Sequence, residues 1–418
     1  MSRRVVILGA GVIGLSAAYY CARRGFEVTV VERGGPERDG TSYGNAGMIV
    51  PSHFVPLAAP GMVALGLKWM WNPASPFYIR PRLNADLIGW GMKFWRAANA
   101  KQVARAAPLL RDLALASRAS YVELAGELEH DFGLVKKGLL MLCESAEALH
   151  EESLTAEKAV ALGIPAEVLD ARQTAALDPG ARMKIAGSVY FPKDCHFSPG
   201  AFMSALQAKV EALGVRGRWW TATAGFRQEN GRIRAVKLEP GGEIEADEFL
   251  VCGGAWSPEM TRELGLKIPI QAGKGYSLTL PRPRRLPKLC TILTEARVAV
   301  TPMGETLRVG GTLELTGLKG AINPVRVRGI IDSFCRYYPE FSPADFAGIQ
   351  PWQGWRPCSP DGLPYVGRTG RFENLSLATG HAMMGMSLAP ITGKLIAGLL
   401  AGEKPVPELS LLSPDRYQ

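Results

Sequence analysis

A glycine-rich segment near the start of the chain, Gly9-Ala10-Gly11-Val12-Ile13-Gly14, separates an apolar run, Val5-Val6-Ile7-Leu8, from a helical stretch reaching Arg24. Gly25 and a second apolar run, Glu27 to Val31, follow and end on Glu32. Residues of these types at this spacing bind a pyrophosphate. Gly9 permits a tight turn, Gly11 lets a phosphate approach the backbone, and Gly14 lets the helix pack on the strand. The helix start at Val12 and Ile13 offers free N–H groups and the positive end of a dipole. Glu32 can accept hydrogen bonds from a ribose diol, and its charge disfavours a 2′-phosphate. The unit is a dinucleotide site, open at this point to FAD or NAD.

The elements that position this site need a large scaffold. At 418 residues the chain exceeds the size at which a single core stops growing, so two domains are expected. Hydrophobic residues are 47% of the total, enough for sizeable cores. The chain enters its first strand from Met-Ser-Arg-Arg without a signal-peptide pattern, and its seven cysteines are scattered with no C-x-x-C pair. Both features point to reduced thiols in a cytoplasmic protein. The five histidines lack metal-ligand spacing, so no metal is expected.

The net charge of +9 is concentrated. From Gly66 to Arg118 nine bases, among them Lys68, Arg80, Arg82 and Lys93, face two acids, giving +7. Trp69, Trp71, Phe77, Tyr78, Trp90, Phe94 and Trp95 share the segment, and the apolar run Val55 to Leu67 precedes it. Basic residues mixed with tryptophan suggest peripheral contact with an anionic membrane surface, at the cytoplasmic face of an inner membrane. The run is too short to span a bilayer. The alternative is a helical subdomain with a solvated basic face. No nucleic-acid-binding motif supports a nucleic-acid partner.

Helices are expected over 83–130 from apolar residues at three- and four-residue spacing. A strand pair is expected over 133–143, helix over 144–177 with a break at Gly163-Ile164-Pro165, a strand over 186–191 and a helix from Pro199 to Leu213. Phe249 to Cys252 reads as a buried strand, 267–315 as an antiparallel sheet, and 323–338 as a helix. The fold class is α/β: a Rossmann-like, glutathione-reductase-like nucleotide-binding domain carrying an inserted antiparallel-sheet substrate domain plus helices. The expected boundaries are 1–55, 140–262 and 346–418 for the first, and 56–139 and 263–345 for the second.

Three segments decide the cofactor. Gly253-Gly254-Ala255-Trp256-Ser257 resembles the second flavin-contacting turn of FAD-dependent amine oxidoreductases. Gly354-Trp355-Arg356-Pro357-Cys358-Ser359-Pro360-Asp361-Gly362-Leu363-Pro364 resembles the G-x-R-P-x-T-P-D-G-x-P signature of the D-amino acid oxidase superfamily, with Ser359 replacing the usual Thr. Thr379-Gly380-His381-Ala382-Met383-Met384-Gly385-Met386-Ser387 resembles its T-G-H-x-x-x-G segment. With Thr41-Ser42-x-x-Asn45-Ala46-Gly47, the resemblance spans the chain. Lys274-Gly275-Tyr276-Ser277 fits the D-amino acid dehydrogenase branch.

The resemblance implies non-covalent FAD, with Cys358 outside the local pattern of cysteines that attach flavin. Cofactor contacts are expected from the Gly9–Gly14 turn, Glu32 and Arg33, and from Thr41, Ser42, Asn45, Ala46, Gly47 and Met48. They are also expected from Thr223, from Gly253, Gly254 and Trp256, and from Gly380, His381, Met384, Gly385, Met386 and Ser387. At His381 the backbone is expected to matter more than the ring. A planar guanidinium holds a carboxylate by two parallel hydrogen bonds, and the resemblance gives Arg356 that task on the substrate. Tyr276 is a candidate second donor and His53 a candidate pocket residue.

The implied reaction is oxidative deamination of a D-amino acid. Hydride passes from Cα to flavin N5, the imine hydrolyses to a 2-oxo acid and ammonia, and electrons pass to a quinone. Alternatives within the fold are a glycine or sarcosine oxidase, a dehydrogenase of D-hydroxyproline or another D-proline derivative, and an L-amino acid deaminase. A flavin-binding protein without turnover is the alternative of another class.

Overall fold

The computed structural model describes residues 2–70, 75–80 and 84–418. Trp71 and Arg82 of the basic segment lie outside the described residues. A six-stranded sheet runs in the order Tyr365–Arg368, Leu375–Thr379, Glu248–Val251, β1 (Arg4–Leu8), β2 (Glu27–Val31) and Arg216–Arg218, parallel throughout except at Tyr365–Arg368. This is the expected nucleotide-binding sheet. Helix α1 (Val12–Arg23) packs on it together with Pro199–Ala212 and the C-terminal helix Gly385–Leu400. The C-terminal helix is apolar and long enough to cross a membrane, but most of its residues are buried as a core helix.

The second sheet has nine strands and is mixed, rather than the antiparallel layer expected. Its order is Trp352–Cys358, Gln271–Leu280, Thr306–Leu315, Val298–Met303, Cys290–Leu293, Leu139–Cys143, Gly187–Phe191 and Glu167–Asp170, with Phe77–Ile79 also paired to Thr306–Leu315. Cys290–Leu293 runs parallel to Leu139–Cys143. The expected boundaries move accordingly. Residues 139–191 and the strand bearing Arg356 pair into the second sheet, whereas both were expected in the nucleotide-binding domain. Helix α4 (Ala100–Glu127), expected in the substrate domain, joins the first core through Ala106, Leu110, Tyr121 and Leu124. Local pattern identifies a strand but not its distant partner, and this is why the boundaries slipped.

The helical region beyond residue 83 is two helices. Asn84 caps α3 (Ala85–Ala97) by accepting from Leu87 N–H at 3.0 Å, and Asn99 caps α4 by accepting from Gln102 N–H at 2.9 Å. A nine-residue helix, α2 (Met62–Met70), occupies the end of the apolar run. The expected strand pair over 133–143 reduces to one strand, with Val135 in an isolated bridge to His196. Within 144–177, a strand at Glu167–Asp170 replaces helix.

The two faces of the mixed sheet have separate tasks. Gly273, Gly275 and Ser277 share one face with Arg356, and Ser277 Oγ donates from it to the Gly44 carbonyl at 3.2 Å. Lys274, Tyr276 and Leu278 take the other face and pack toward the helix Pro324–Tyr337. There Glu314 is 2% exposed. It accepts from Tyr276 Oη at 2.7 Å, pairs with Lys274 Nζ at 3.2 Å, and pairs with Arg326. Tyr276 Oη also accepts from Asn323 N–H. Tyr276 is therefore committed to a buried charge cluster on the face away from Arg356, so it is not placed to be the second donor expected beside that arginine. A strand's alternation separates residues 275 and 276, and the motif alone did not reveal which face the site uses.

Glu314→Gln should destabilise the protein by about 3–5 kcal/mol, because two buried cations lose their counter-charge. Tyr276→Phe should cost only about 1 kcal/mol and leave KM unchanged. Chemical denaturation and steady-state kinetics check both.

Candidate active site

The dinucleotide turn is held by contacts that separate the roles of its glycines. A Cβ on Gly14 would stand 1.9 Å from the Gly9 carbonyl oxygen, and one on Gly9, at φ +111°, would stand 2.6 Å from the Cys252 carbonyl oxygen. Both positions are closed by the protein itself. A Cβ on Gly11 would meet only Ser42 Oγ, at 3.6 Å, so that space serves a ligand. Ser42 Oγ accepts from Val12 N–H at 3.0 Å, while the N–H groups of Ile13 and Gly14 keep no protein partner among the described residues. Glu32 accepts from Ala10 N–H at 2.8 Å and Gly34 N–H at 3.0 Å, bracing the turn from the end of β2. Arg33 lies with its guanidinium 3.8 Å from the centre of the Trp256 ring. Thr223 begins the separate hairpin Ala222–Glu229, just beyond Thr221, whose N–H donates to the Glu32 carbonyl.

The loop from Thr41 to Gly47 is sewn to the mixed sheet. Arg308 donates from Nη1 to the carbonyls of Tyr43 and Asn45, both at 2.8 Å. Burial lowers its guanidinium pKa to about 10, and no carboxylate pairs with it among the described residues. Asn45 Oδ1 accepts from Gly47 N–H, fixing the turn, and Thr41 Oγ1 bonds the backbone of Trp355. On the other side, Val50 N–H donates to Ser387 Oγ at 3.0 Å. Tyr121 and Ser117 of α4 hold the carbonyls of Met386 and Ser387. The start of the C-terminal helix thus points at the loop from a fixed position. His381 is buried, with Nε2 bonded to Thr392 Oγ1 and its pKa lowered by burial to about 3, while its backbone bridges Cys358.

Arg356 lies across Gly275. A Cβ there would stand 2.0 Å from Nη1. Opposite, the Thr306–Leu315 strand bulges, and Thr312 takes a left-handed backbone at φ 69°. That turns the Thr312 carbonyl to accept from Arg356 Nη1 at 2.6 Å. Among the described residues no carboxylate pairs with this guanidinium, and burial lowers its proton affinity. A desolvated cation satisfied on one edge by a neutral carbonyl, with its other edge unused, is built to receive an anion. Nearby, Met48, Val50, Met141, Ile292, Ala299 and Met384 pack as an apolar wall. His53 lies at the end of this wall, its Nδ1 2.9 Å from Ser52 Oγ.

The residues fit FAD. The open space at Gly11, the unused N–H groups of α1 and the buried Trp355 Nε1, which has no partner although its ring meets Trp256, are all sites for a ligand spanning both sheets. Cys358 is fully buried and its thiol is pushed up to about 12 by burial, so it is a poor nucleophile. Sequence reading missed Arg308 and Thr312. Lone Arg and Thr residues carry no local pattern, and their roles exist only once distant strands are paired.

Fold and site together define a flavin-dependent oxidoreductase. The chain matches the FAD dependent oxidoreductase (DAO) family over residues 4–399 and belongs to it. FAD is its cofactor. It is 34% identical to the D-amino acid dehydrogenase of Rhizorhabdus wittichii, covering 99% of this chain and 100% of that protein. It is 32% identical to that of Allorhizobium ampelinum, covering 99% and 98%. Glycine oxidase from Geobacillus kaustophilus has the same fold, with a TM-score of 0.79 at 22% identity over 100% of both chains.

Gly11→Ala should fold with near-native stability yet release FAD, whereas Gly14→Ala should fail to fold or melt far lower. Thermal unfolding of the apo forms and flavin absorbance separate the two.

Proposed function

We propose that the protein is a D-amino acid dehydrogenase that deaminates its substrate to a 2-oxo acid and ammonia. The observation that carries this is the unpaired guanidinium of Arg356 above Gly275, and the full-length D-amino acid dehydrogenase relatives supply the substrate configuration. FAD, when bound, would supply the acceptor for the Cα hydride and an outlet for the electron pair. Arg356 grips the carboxylate by the guanidinium edge that Thr312 leaves unused, which fixes Cα. The apolar wall from Met48 to Met384 takes the side chain and excludes water. The start of the C-terminal helix, pinned by Tyr121, Ser117 and Val50, would offer its positive end to negative charge on a bound flavin. Water hydrolyses the released imine.

The acceptor is a membrane quinone in this reading. Helix α3 exposes Ile88, Met92 and Trp95, at 52%, 54% and 67%, along one stripe at helical spacing. Leu67 of α2 is 59% exposed. Lys68, Arg80, Arg96, Lys101 and Arg105 are exposed around them. The inner side of α3 buries Trp90, whose Nε1 donates to the Cys358 carbonyl at 2.9 Å, two residues from Arg356. The same helix thus meets the solvent and the substrate strand. The seven cysteines carry free thiols, which suits a reducing cytoplasm on whose membrane face the protein docks.

Arg356→Ala should retain FAD and lose kcat/KM by roughly 30-fold or more, since truncating one side of a desolvated charge pair costs about 2–5 kcal/mol. Arg356→Lys should recover part of the loss. Anaerobic flavin bleaching by a panel of D- and L-amino acids checks the reading; bleaching by L-isomers alone, or unimpaired turnover in Arg356→Ala, overturns it.

Wild-type protein should co-sediment with anionic vesicles, less so as salt shortens the screening length from about 10 Å to about 3 Å. Replacing Ile88, Met92 and Trp95 by serine should weaken binding by about tenfold or more. Absence of wild-type binding removes the membrane contact.

A further inference from the structure

A second buried chain of polar groups adjoins the apolar wall. Asp194 is 0% exposed, and among the described residues no cation pairs with it. Its Oδ1 accepts from Ser52 N–H at 3.1 Å and its Oδ2 from Ser52 Oγ at 2.5 Å. Ser52 Oγ is in turn 2.9 Å from His53 Nδ1. His53 N–H donates to the Val50 carbonyl at 3.0 Å, so the imidazole follows directly from the wall strand Met48–Ile49. Among the described residues His53 Nε2 has no protein partner and is not sealed from solvent. The imidazole is the open end of a line that terminates on a carboxylate inside the protein.

The line has two states. With Asp194 ionised, Ser52 Oγ donates to Oδ2 and accepts from Nδ1–H, which leaves a lone pair on Nε2. With Asp194 protonated, both bonds reverse and Nε2 carries the hydrogen.

We propose that Asp194, Ser52 and His53 form a proton relay that removes one proton from the ammonium group of the amino acid substrate before hydride leaves Cα. This rests on the amino acid reading above. The N–H bond of the ammonium breaks toward Nε2, Nδ1–H passes its proton to Ser52 Oγ, and the hydroxyl proton passes to Asp194. The products are a neutral amine and a neutral carboxylic acid, so charge and protons balance. The relay supplies the neutral amine whose lone pair must assist hydride loss, in a site with no other ionisable base on the apolar wall.

The surroundings agree. Burial pushes the Asp194 carboxyl up to about 7, and burial together with Arg297 pulls the His53 imidazole down to about 4. Near neutral pH Asp194 is therefore poised to ionise and to take up the substrate's proton, which the imidazole passes on without keeping it. The other groups facing the line do not compete. Arg118 of α4 commits its Nε to the Lys193 carbonyl at 2.6 Å. The thiols of Cys195 and Cys290 are held up by burial and stay protonated. Arg297 is exposed at the turn before Val298–Met303.

The test is anaerobic flavin bleaching by two D-amino acids whose amine pKa values differ, followed from pH 5 to 10. The relay predicts a rising limb in kcat/KM near pH 7 at the same position for both substrates. In Asp194→Asn and His53→Gln the limb should move to the substrate amine's own pKa, with activity about 100-fold down at pH 7 and within about threefold of wild type at pH 10. A merely structural role would lower activity equally at every pH. Infrared difference spectra between pH 5 and 9 need no substrate: a buried carboxyl band should be present in wild type, absent in Asp194→Asn, and shifted in its titration in His53→Gln. A wild-type limb that follows the substrate amine, or a carboxyl titration that His53→Gln leaves unmoved, overturns the relay. Failure of every D-amino acid to bleach the flavin overturns the substrate reading, and the infrared titration then decides the relay by itself.

Discussion

The structure is organised around a half-buried cation without a counter-charge. Holding a guanidinium partly dry is costly, and it persists only where neighbouring dipoles offset part of the loss. At Arg356 that dipole is the Thr312 carbonyl, 2.6 Å away and delivered by a left-handed residue in a bulged strand. Space comes from Gly275, and rigidity from two antiparallel neighbours in the mixed sheet. Without the bulge the carbonyl would return to the strand ladder. Without the glycine the side chain would have to leave the sheet. The free edge of this cation is thus prepared by backbone geometry at residues other than the arginine itself.

Arg308 repeats the device on a second element. It too is a half-buried cation satisfied by carbonyls, here those of Tyr43 and Asn45. Its effect is to dock the loop of the nucleotide-binding domain on the sheet of the other. Two arginines on one face therefore set the spacing between the loop from Thr41 to Gly47 and the strand that carries Arg356. The opposite face of the sheet keeps its charges paired around Glu314, which serves cohesion.

The contiguous parts of this arrangement were legible in the sequence. The turn from Gly9 to Gly14, β1, β2, the helix from Pro199 and the helix ending at Tyr337 announce themselves through spacing and capping residues. The segment around Arg356 was legible too, because its residues form a recognisable string. What stayed hidden depends on pairing across the chain. Nothing near Leu139 says that it lies beside Cys290, and nothing near Thr312 says that its carbonyl will face residue 356. Tyr276 shows the same limit at the shortest range. One step along a strand reverses the face, so a motif residue adjacent to Gly275 lies on the wrong side of the sheet.

Gly275 has a consequence for how such a chain can change over generations. With the guanidinium lying 2.0 Å from where a methyl would be, no other amino acid is admissible at 275 while Arg356 keeps its pose. Conversely, if a descendant abandons carboxylate recognition, position 275 is released from its constraint and free to drift. The two sites, 81 residues apart in sequence, are in effect a single heritable unit. Descendants that turn to substrates lacking a carboxylate must alter the arginine first and the glycine second, because the reverse order passes through a form that binds neither class.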